Sequence, residues 1–354
     1  MAVSPVGTLI TVDCAVYVFQ FVEPQTGANM GWFRQLRDWM AMPRRLRERG
    51  VLGLNRRSLD FIFPFNPRTS YRLVDDKLET KRLCERLALP IPETYAVVSR
   101  QGDLVHLDEL IEDRGSFVVK PARGSGGKGV LVIAENRRTS FVTPRGTTIS
   151  PSRLRYHISA VLAGMFSLNG LPDRAIIEEC IRPHDAFSDV SLRGTPDIRV
   201  LMFQGELVMA MLRLPTAASD GKANLHQGAV GVGIDIETGT TRRGVYQDRI
   251  VERHPDTGHV LAGRQVPHWE SLVEAALRLA AAVDLGYLGI DCVLDRNGGP
   301  LILEVNARPG LAIQIANECG LLGKLRRLAE AGTHDSHRKA AVSTALSNVR
   351  RRAE

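Results

Sequence analysis

The sequence predicts an α+β fold built as two lobes, and three observations predict it. Runs of β-branched and aromatic residues follow one another as hairpin-like neighbours, which argues against a doubly wound parallel sheet. Residues 124–129 (GSGGKG) join two such runs directly, with no helix between them. Asn297-Gly298 separates two further apolar runs and marks a second hairpin. At 354 residues the chain is long enough to fill more than one core.

Taken in order, residues 1–29 read as an extension of little regular structure, ahead of a start at Met30. Residues 34–49 are helical in texture but broken by Pro43. Residues 55–73, with several aromatics, Pro64 and Pro67, read as an irregular connector. A helix is predicted from about Asp75 to Leu89, with Asp75 and Asp76 in its first turn and Pro90 and Pro92 beyond its end. Strands are expected at 116–120 and 130–134, a helix at 152–166, and strands at 175–181, 198–203, 207–214 and 228–236. A helix over 269–283 and a hairpin over 289–306 complete the pattern. The implied division is a basic N-terminal segment (1–74), a first lobe with the glycine-rich loop (75–182), a second lobe (183–330) and a basic tail (331–354).

Composition narrows the function. A hydrophobic fraction of 44% and a charged fraction of 24% are those of a soluble protein, and no apolar run is long enough to cross a membrane. The five cysteines lack any paired spacing, which argues against a disulfide scaffold or zinc site and fits a cytoplasmic protein. The net charge of +7 gathers in arginine clusters near both ends. Aromatics are few and not interleaved with these clusters, so they read as solvated faces and no nucleic-acid partner is expected.

The chemistry lies in two hairpins. The glycine loop matches G-x-G-x-x-G, but a strand follows it where a dinucleotide fold needs a helix, and no G-K-[ST] phosphate loop is present. Its glycines, Gly126 and Gly127 among them, let backbone N–H groups approach phosphate oxygens, with Lys120 at the end of the leading strand beside them. A protein kinase fits poorly, because its lysine lies after such a loop and neither an H-R-D nor a D-F-G triplet is present. In 289–306 (GIDCVLDRNGGPLILEVN), a turn centred on Asn297-Gly298 sets Arg296 opposite Gly299 and therefore Asp291 opposite Glu304. Their Cβ atoms would lie about 4.5–5.5 Å apart, with Asn306 on the same face. Facing carboxylates repel, and a divalent cation reverses the sign; two carboxylates and an amide suit Mg²⁺.

With these two hairpins in that order, the chain resembles the ATP-grasp superfamily. More narrowly it resembles the ribosomal-protein glutamate ligase branch and the alpha-L-glutamate ligase-like, sugar-transfer-associated ATP-grasp proteins. The resemblance covers roughly residues 50–325. Its motifs are Asp76-Lys77-Leu78, 117–129 (FVVKPARGSGGKG), 177–181 (IEECI), 196–200 (PDIRV), 224–228 (NLHQG), 289–291 (GID) and 303–310 (LEVNARPG). It implies an ATP-grasp fold whose two α+β lobes sandwich a nucleotide, after a short N-terminal extension. It implies Lys77 and Lys120 at the nucleotide phosphates, the backbone of Glu179, Cys180 and Ile181 at the adenine, and Asp197 beside the ribose. Arg213, Lys222 and Asn224 fall near the γ-phosphate and the developing acyl phosphate. Asp291, Glu304 and Asn306 fall on the magnesium ligands.

Two departures bear on the substrate. Residues 1–74 lack the βαβ domain such ligases carry, and Arg308 stands where the ribosomal-protein enzyme has a small polar residue, so it could bind a substrate carboxylate or phosphate. The function implied is an ATP-dependent carboxylate–amine ligase acting through an acyl phosphate, with Mg²⁺, or Mn²⁺ in its place. Small-molecule or peptide carboxylates and amines, glutamate among them, are its implied substrates, and a homo-oligomer its implied assembly. The alternatives are a small-molecule phosphotransferase on the same scaffold and a nucleotide-binding scaffold without turnover; the metal trio and the lysines weigh against the second.

Overall fold

A computed structural model describes residues 41, 43–124, 126–167 and 170–334. The expectations for residues 1–40 and for the tail beyond 334 lie outside these described residues. Two antiparallel sheets organise the chain. The first holds β1 (Thr94–Val98), β2 (Phe117–Pro121), β3 (Leu131–Ile133) and β4 (Ala175–Glu178), in the order β1-β4-β2-β3. The second holds β5 (Asp197–Phe203), β6 (Glu206–Leu214), β7 (Val230–Ile234), β8 (Thr241–Tyr246), β9 (Arg249–Val251), β10 (Tyr287–Asp295) and β11 (Gly299–Asn306). Its order is β9-β8-β7-β6-β5-β10-β11, and every pairing is antiparallel. The helices that matter below are α1 (Tyr71–Asp75), α2 (Lys77–Arg86), α3 (Pro151–Leu162) and α4 (Trp269–Ala282). Mixed helices and antiparallel sheets make this the α+β arrangement that the sequence predicts.

Strand alternation decides where the cores lie. On one face of the second sheet, Ile198, Val200, Ala210, Leu212, Ile290 and Cys292 pack with Leu272 and Leu279 of α4. The opposite face is split. Leu201, Phe203, Met209, Met211 and Tyr287 are buried at one end of it. Asp197, Arg199, Arg213 and Asp291 occupy the other end, on the same alternation.

The apolar half of that face is covered by Ile313, Leu321, Leu322 and Leu325 and by residues 54–65, whose structure corrects the expectation of an irregular connector. The latter run as continuous helical turns, α over Leu54–Arg56, π over Arg57–Ile62 and α over Phe63–Phe65. Phe61 and Ile62 are buried beneath them, and the Phe61 and Phe203 rings meet edge to face at 5.6 Å. The widened π turn lies directly ahead of Pro64, where an α-helical carbonyl four residues back would meet the proline ring. Burial thus outweighs the proline signals. The next helix also starts later than expected: Asp75 ends α1, and Asp76 turns extended to cap α2, its side chain accepting from Leu78 N at 3.1 Å.

The β10–β11 turn differs from the predicted one as well. Asp295 pairs with Gly299, leaving three residues in the connection instead of two. The Asp295 carboxylate accepts from the N–H groups of Asn297 and Gly298 at 2.9 and 3.0 Å, and Gly299 takes a φ of +76°.

Asn66 ties the N-terminal segment to the second sheet. Its amide donates to Tyr287 O at 2.7 Å and Ala307 O at 3.2 Å, and its carbonyl accepts from Tyr287 N at 2.8 Å. Replacing Asn66 by Ala leaves these buried backbone groups unpaired and is expected to lower the unfolding free energy by about 2–4 kcal/mol, measured by urea denaturation.

Candidate functional site

Asp291, on β10, lies directly opposite Glu304, on β11, and opposite Arg199 on its other side, on β5. Asn306 shares the face: its Nδ2 reaches Asp291 Oδ2 at 3.3 Å and Glu304 Oε1 at 3.2 Å. The three side chains therefore converge on one point, as the sequence predicts. Two carboxylates and an amide oxygen are the donor types a hard divalent cation takes; Asn306 here turns its Nδ2 to both carboxylates, and an amide flip would offer Oδ1 to such an ion. Among the described residues no group of three His, Cys, Asp or Glu side chains forms a metal cluster, which leaves this mixed trio as the candidate.

What neutralises Asp291 is a pair of arginines. Arg199 is bidentate on it, Nε to Oδ1 at 2.7 Å and Nη2 to Oδ2 at 2.5 Å, and Arg213 Nη2 adds a contact at 2.9 Å. Arg213, on β6, in turn holds both carboxylate oxygens of Asp197, directly across from it on β5. Burial opposes ionisation of Asp291, but the two guanidiniums outweigh it and hold the carboxyl well below the usual carboxylate range. The same two carboxylates, against burial, raise Arg213 above the ordinary arginine value.

Two of the expected residues are partners. The Asp197 carboxylate pairs with Arg213, the two sitting opposite each other in the β5–β6 register. Arg213 is committed to Asp197 and Asp291 before any phosphate arrives. Arg199 was not among the predicted site residues, although it sits in the quoted PDIRV motif. Its signal was alternation: Asp197 and Arg199 are two apart on one strand and share a face with Arg213.

The glycine loop reaches this cluster from the first sheet. It joins β2 to β3, and Gly126 and Gly127 both adopt positive φ, of 61° and 72°, with open space where a Cβ would sit. Lys77, at the start of α2, donates to Gly124 O at 2.6 Å and lies 3.4 Å from Glu304 Oε2. Gln227 Nε2 reaches Gly126 O at 3.5 Å from the other side. Lys77 and the loop are thus brought to the trio.

Lys120 is buried and paired with Glu178, which also takes Lys81 at 2.9 Å. Lys81, absent from the expected set, donates to Pro92 O at 2.7 Å, and burial drives its pKa below the usual lysine range while Glu178 pulls it back. Glu179 follows β4 and spends its N–H on Glu93 O at 2.9 Å; Cys180 and Ile181 beside it are half-buried. Burial pushes the Cys180 thiol up, as suits a packing residue. Lys222 is exposed on the β6–β7 loop, and Asn224 Oδ1 accepts from His226 N at 3.0 Å on the same loop. Arg308 is exposed, with its guanidinium 4.8 Å from the Tyr71 ring centroid.

Comparison with known proteins yields one family. The family model described as sugar-transfer associated ATP-grasp matches residues 56–330. Among curated proteins, the chain is 26% identical over 253 residues to a probable alpha-L-glutamate ligase of Maridesulfovibrio salexigens, covering 71% of this chain and 61% of that one. It is 25% identical over 269 residues to the ribosomal protein bS6–L-glutamate ligase of Escherichia coli, covering 76% and 67%. The chain spans only about three fifths of the first relatives it matches. A D-alanine–D-alanine ligase structure from Bacillus anthracis, complexed with ATP, is 17% identical with a TM-score of 0.41 over 74% of this chain and 62% of that one.

Because the folded pKa of Asp291 lies below its unfolded value of about 3.9, its contribution to stability is complete above that value and is lost as pH falls through the folded one. Replacing Arg199 by Ala is expected to cost about 3 kcal/mol at pH 7 and to move acid unfolding to higher pH. Denaturant titration and an acid titration followed by near-UV circular dichroism measure the two effects.

Proposed function

The chain belongs to the sugar-transfer associated ATP-grasp family, and from that premise we propose that it is an ATP-dependent carboxylate–amine ligase. The observation that carries this reading is the convergence of Asp291, Glu304 and Asn306 within reach of Lys77, which itself holds the glycine loop. A phosphate-binding loop and a trio of hard-cation ligands joined by one lysine are the parts that phosphoryl transfer needs.

In the proposed reaction a substrate carboxylate oxygen attacks the γ-phosphorus of ATP. The bond from that phosphorus to the bridging oxygen breaks, ADP leaves, and an acyl phosphate forms. An amine then attacks the acyl carbon, the carbon–oxygen bond to phosphate breaks, and inorganic phosphate leaves as the amine gives up a proton. Asp291, Glu304 and Asn306 are the residues to hold Mg²⁺, which when bound supplies charge neutralisation to the phosphates. Lys77 and the N–H groups of 126 and 127 receive phosphate oxygens. Lys120 adds positive charge at the base of the loop. The backbone after β4, at Glu179, Cys180 and Ile181, receives the base. Asp197 and Arg199 orient Arg213 and Asp291, so the chain's own contribution is positioning and fixed charge. Lys222 and Asn224 close over the transferred phosphoryl group from the β6–β7 loop. The relatives are named glutamate ligases, which makes glutamate the first substrate to try.

The test uses protein, ATP, Mg²⁺, candidate carboxylates and hydroxylamine. A hydroxamate with stoichiometric ADP is expected. A stable phosphorylated alcohol in its place would establish a phosphotransferase, and nucleotide binding without ADP release a non-catalytic role. Glu304→Gln is expected to lower turnover by roughly 100-fold or more, the loss of several kcal/mol of charge stabilisation. Unchanged turnover in that variant would sink the assignment of the trio.

A further inference from the structure

We propose that Arg308 and Tyr71 form a subsite for an anionic group, carboxylate or phosphate, that the substrate carries in addition to the carboxylate that reacts. This rests on the ligase reading above and narrows its substrate class.

The first support is how Arg308 is held. The backbone on both sides of it is clamped by the N-terminal segment: Asn66 Nδ2 donates to Ala307 O at 3.2 Å, and Arg57 Nη1 donates to Pro309 O at 2.7 Å. Ala307 and Pro309 are buried, so Arg308 is the exposed member of a fixed turn. Its guanidinium lies over the Tyr71 ring, 4.8 Å from the centroid. A cation–π contact at that distance holds the guanidinium against the ring and leaves its N–H groups to donate elsewhere.

The second support is the open edge of the fork. Arg308 has a ring contact and no carboxylate partner among the described residues. A planar fork with an open edge matches carboxylate or phosphate oxygens two at a time.

The third support is location. Arg308 is two residues past Asn306 on the same chain. Tyr71 opens α1, which lies against β11 and leads into α2, where Lys77 meets Glu304 at 3.4 Å. One short stretch, 71–77, therefore touches Arg308 at one end and the candidate metal trio at the other. An anion on Arg308 would sit beside the reacting centre without competing for Lys77.

The test is calorimetric titration of the full chain, loaded with Mg²⁺ and a non-hydrolysable ATP analogue. The probes are L-glutamate, O-phospho-L-serine and the neutral L-glutamine. Wild type is expected to bind one of the anionic probes at least about tenfold more tightly than L-glutamine, and which one it prefers separates carboxylate from phosphate. Arg308→Ala is expected to erase that preference while still binding the nucleotide analogue, and Arg308→Lys to keep part of it. Should Arg308→Ala not fold, Tyr71→Leu, which keeps the charge but removes the ring, is expected to reduce the preference several-fold. No preference in wild type, or an intact preference in Arg308→Ala or Tyr71→Leu, overturns the subsite. The ligase reading fails separately, by an absence of ADP and hydroxamate in wild type whatever Arg308 binds.

Discussion

A single buried carboxylate, Asp291, sets the terms for the rest of the molecule. It is 2% exposed, on the strand next to one edge of a seven-stranded antiparallel sheet. An ion in that position loses several kcal/mol of hydration, so it is tolerated only if its partners are close and well directed. Arg199 and Arg213 meet that requirement from two neighbouring strands, and Asp197 then balances the second guanidinium. Such a cluster is weak evidence for stability but strong evidence for position, because each member is placed by strand register and cannot move without stranding a charge. Glu304 and Asn306, less buried, stand at the open side of this fixed cluster.

The split sheet face explains why the N-terminal segment exists in the form it does. The same alternation that presents charges at one end of the sheet presents Leu201, Phe203 and Tyr287 at the other. Those apolar residues need cover, which 54–65 provide together with Ile313, Leu321, Leu322 and Leu325. The N-terminal stretch then reaches past the apolar patch with Arg57, Asn66 and Tyr71 to hold the turn at 307–309, and α2 follows with Lys77. This stretch thus serves core packing and site construction together. Lys120 of the first sheet and Lys81 of α2 are held by similar balancing, with Glu178 shared between them.

Much of this was legible in the sequence, for identifiable reasons. Strong local signals located the glycine loop, α2, α4 and the β10–β11 hairpin, since their periodicity and turn residues agree. Residues 55–73 were misread because proline is a local signal while the burial of Phe61 and Ile62 under a distant sheet is not. The strands Thr94–Val98 and Thr241–Tyr246 escape the sequence reading; the second carries two exposed arginines, Arg242 and Arg243, within it. Asp197 and Arg213 were recognised as site residues but not as each other's partners. Pairing across β5 and β6 depends on a register that neither strand specifies alone.

The hairpin shows how a correct geometry can come from an incorrect turn. A two-residue turn gives pairs that sum to 595, which sets Asp291 opposite Glu304. The actual three-residue connection starts the ladder one residue out of step, with Asp295 opposite Gly299 and Cys292 opposite Ile302. Continued unchanged, that register would set Asp291 opposite Leu303 and turn Glu304 toward the α4 core. A bulge between Asp291 and Cys292 on the pairing path restores the step, so that Asp291 meets Glu304 and Ile290 meets Val305. The bulge has a sequence signature. Ile302 and Val305 both join the α4 core although they are three apart, a spacing that a regular strand would place on opposite faces. Leu303 is the residue that the bulge leaves without a partner; without that bulge a one-residue slip would exchange the faces of everything beyond it and dismantle the trio. The irregularity in β11 is thus what makes a charged cluster and an apolar core compatible on two sides of one strand.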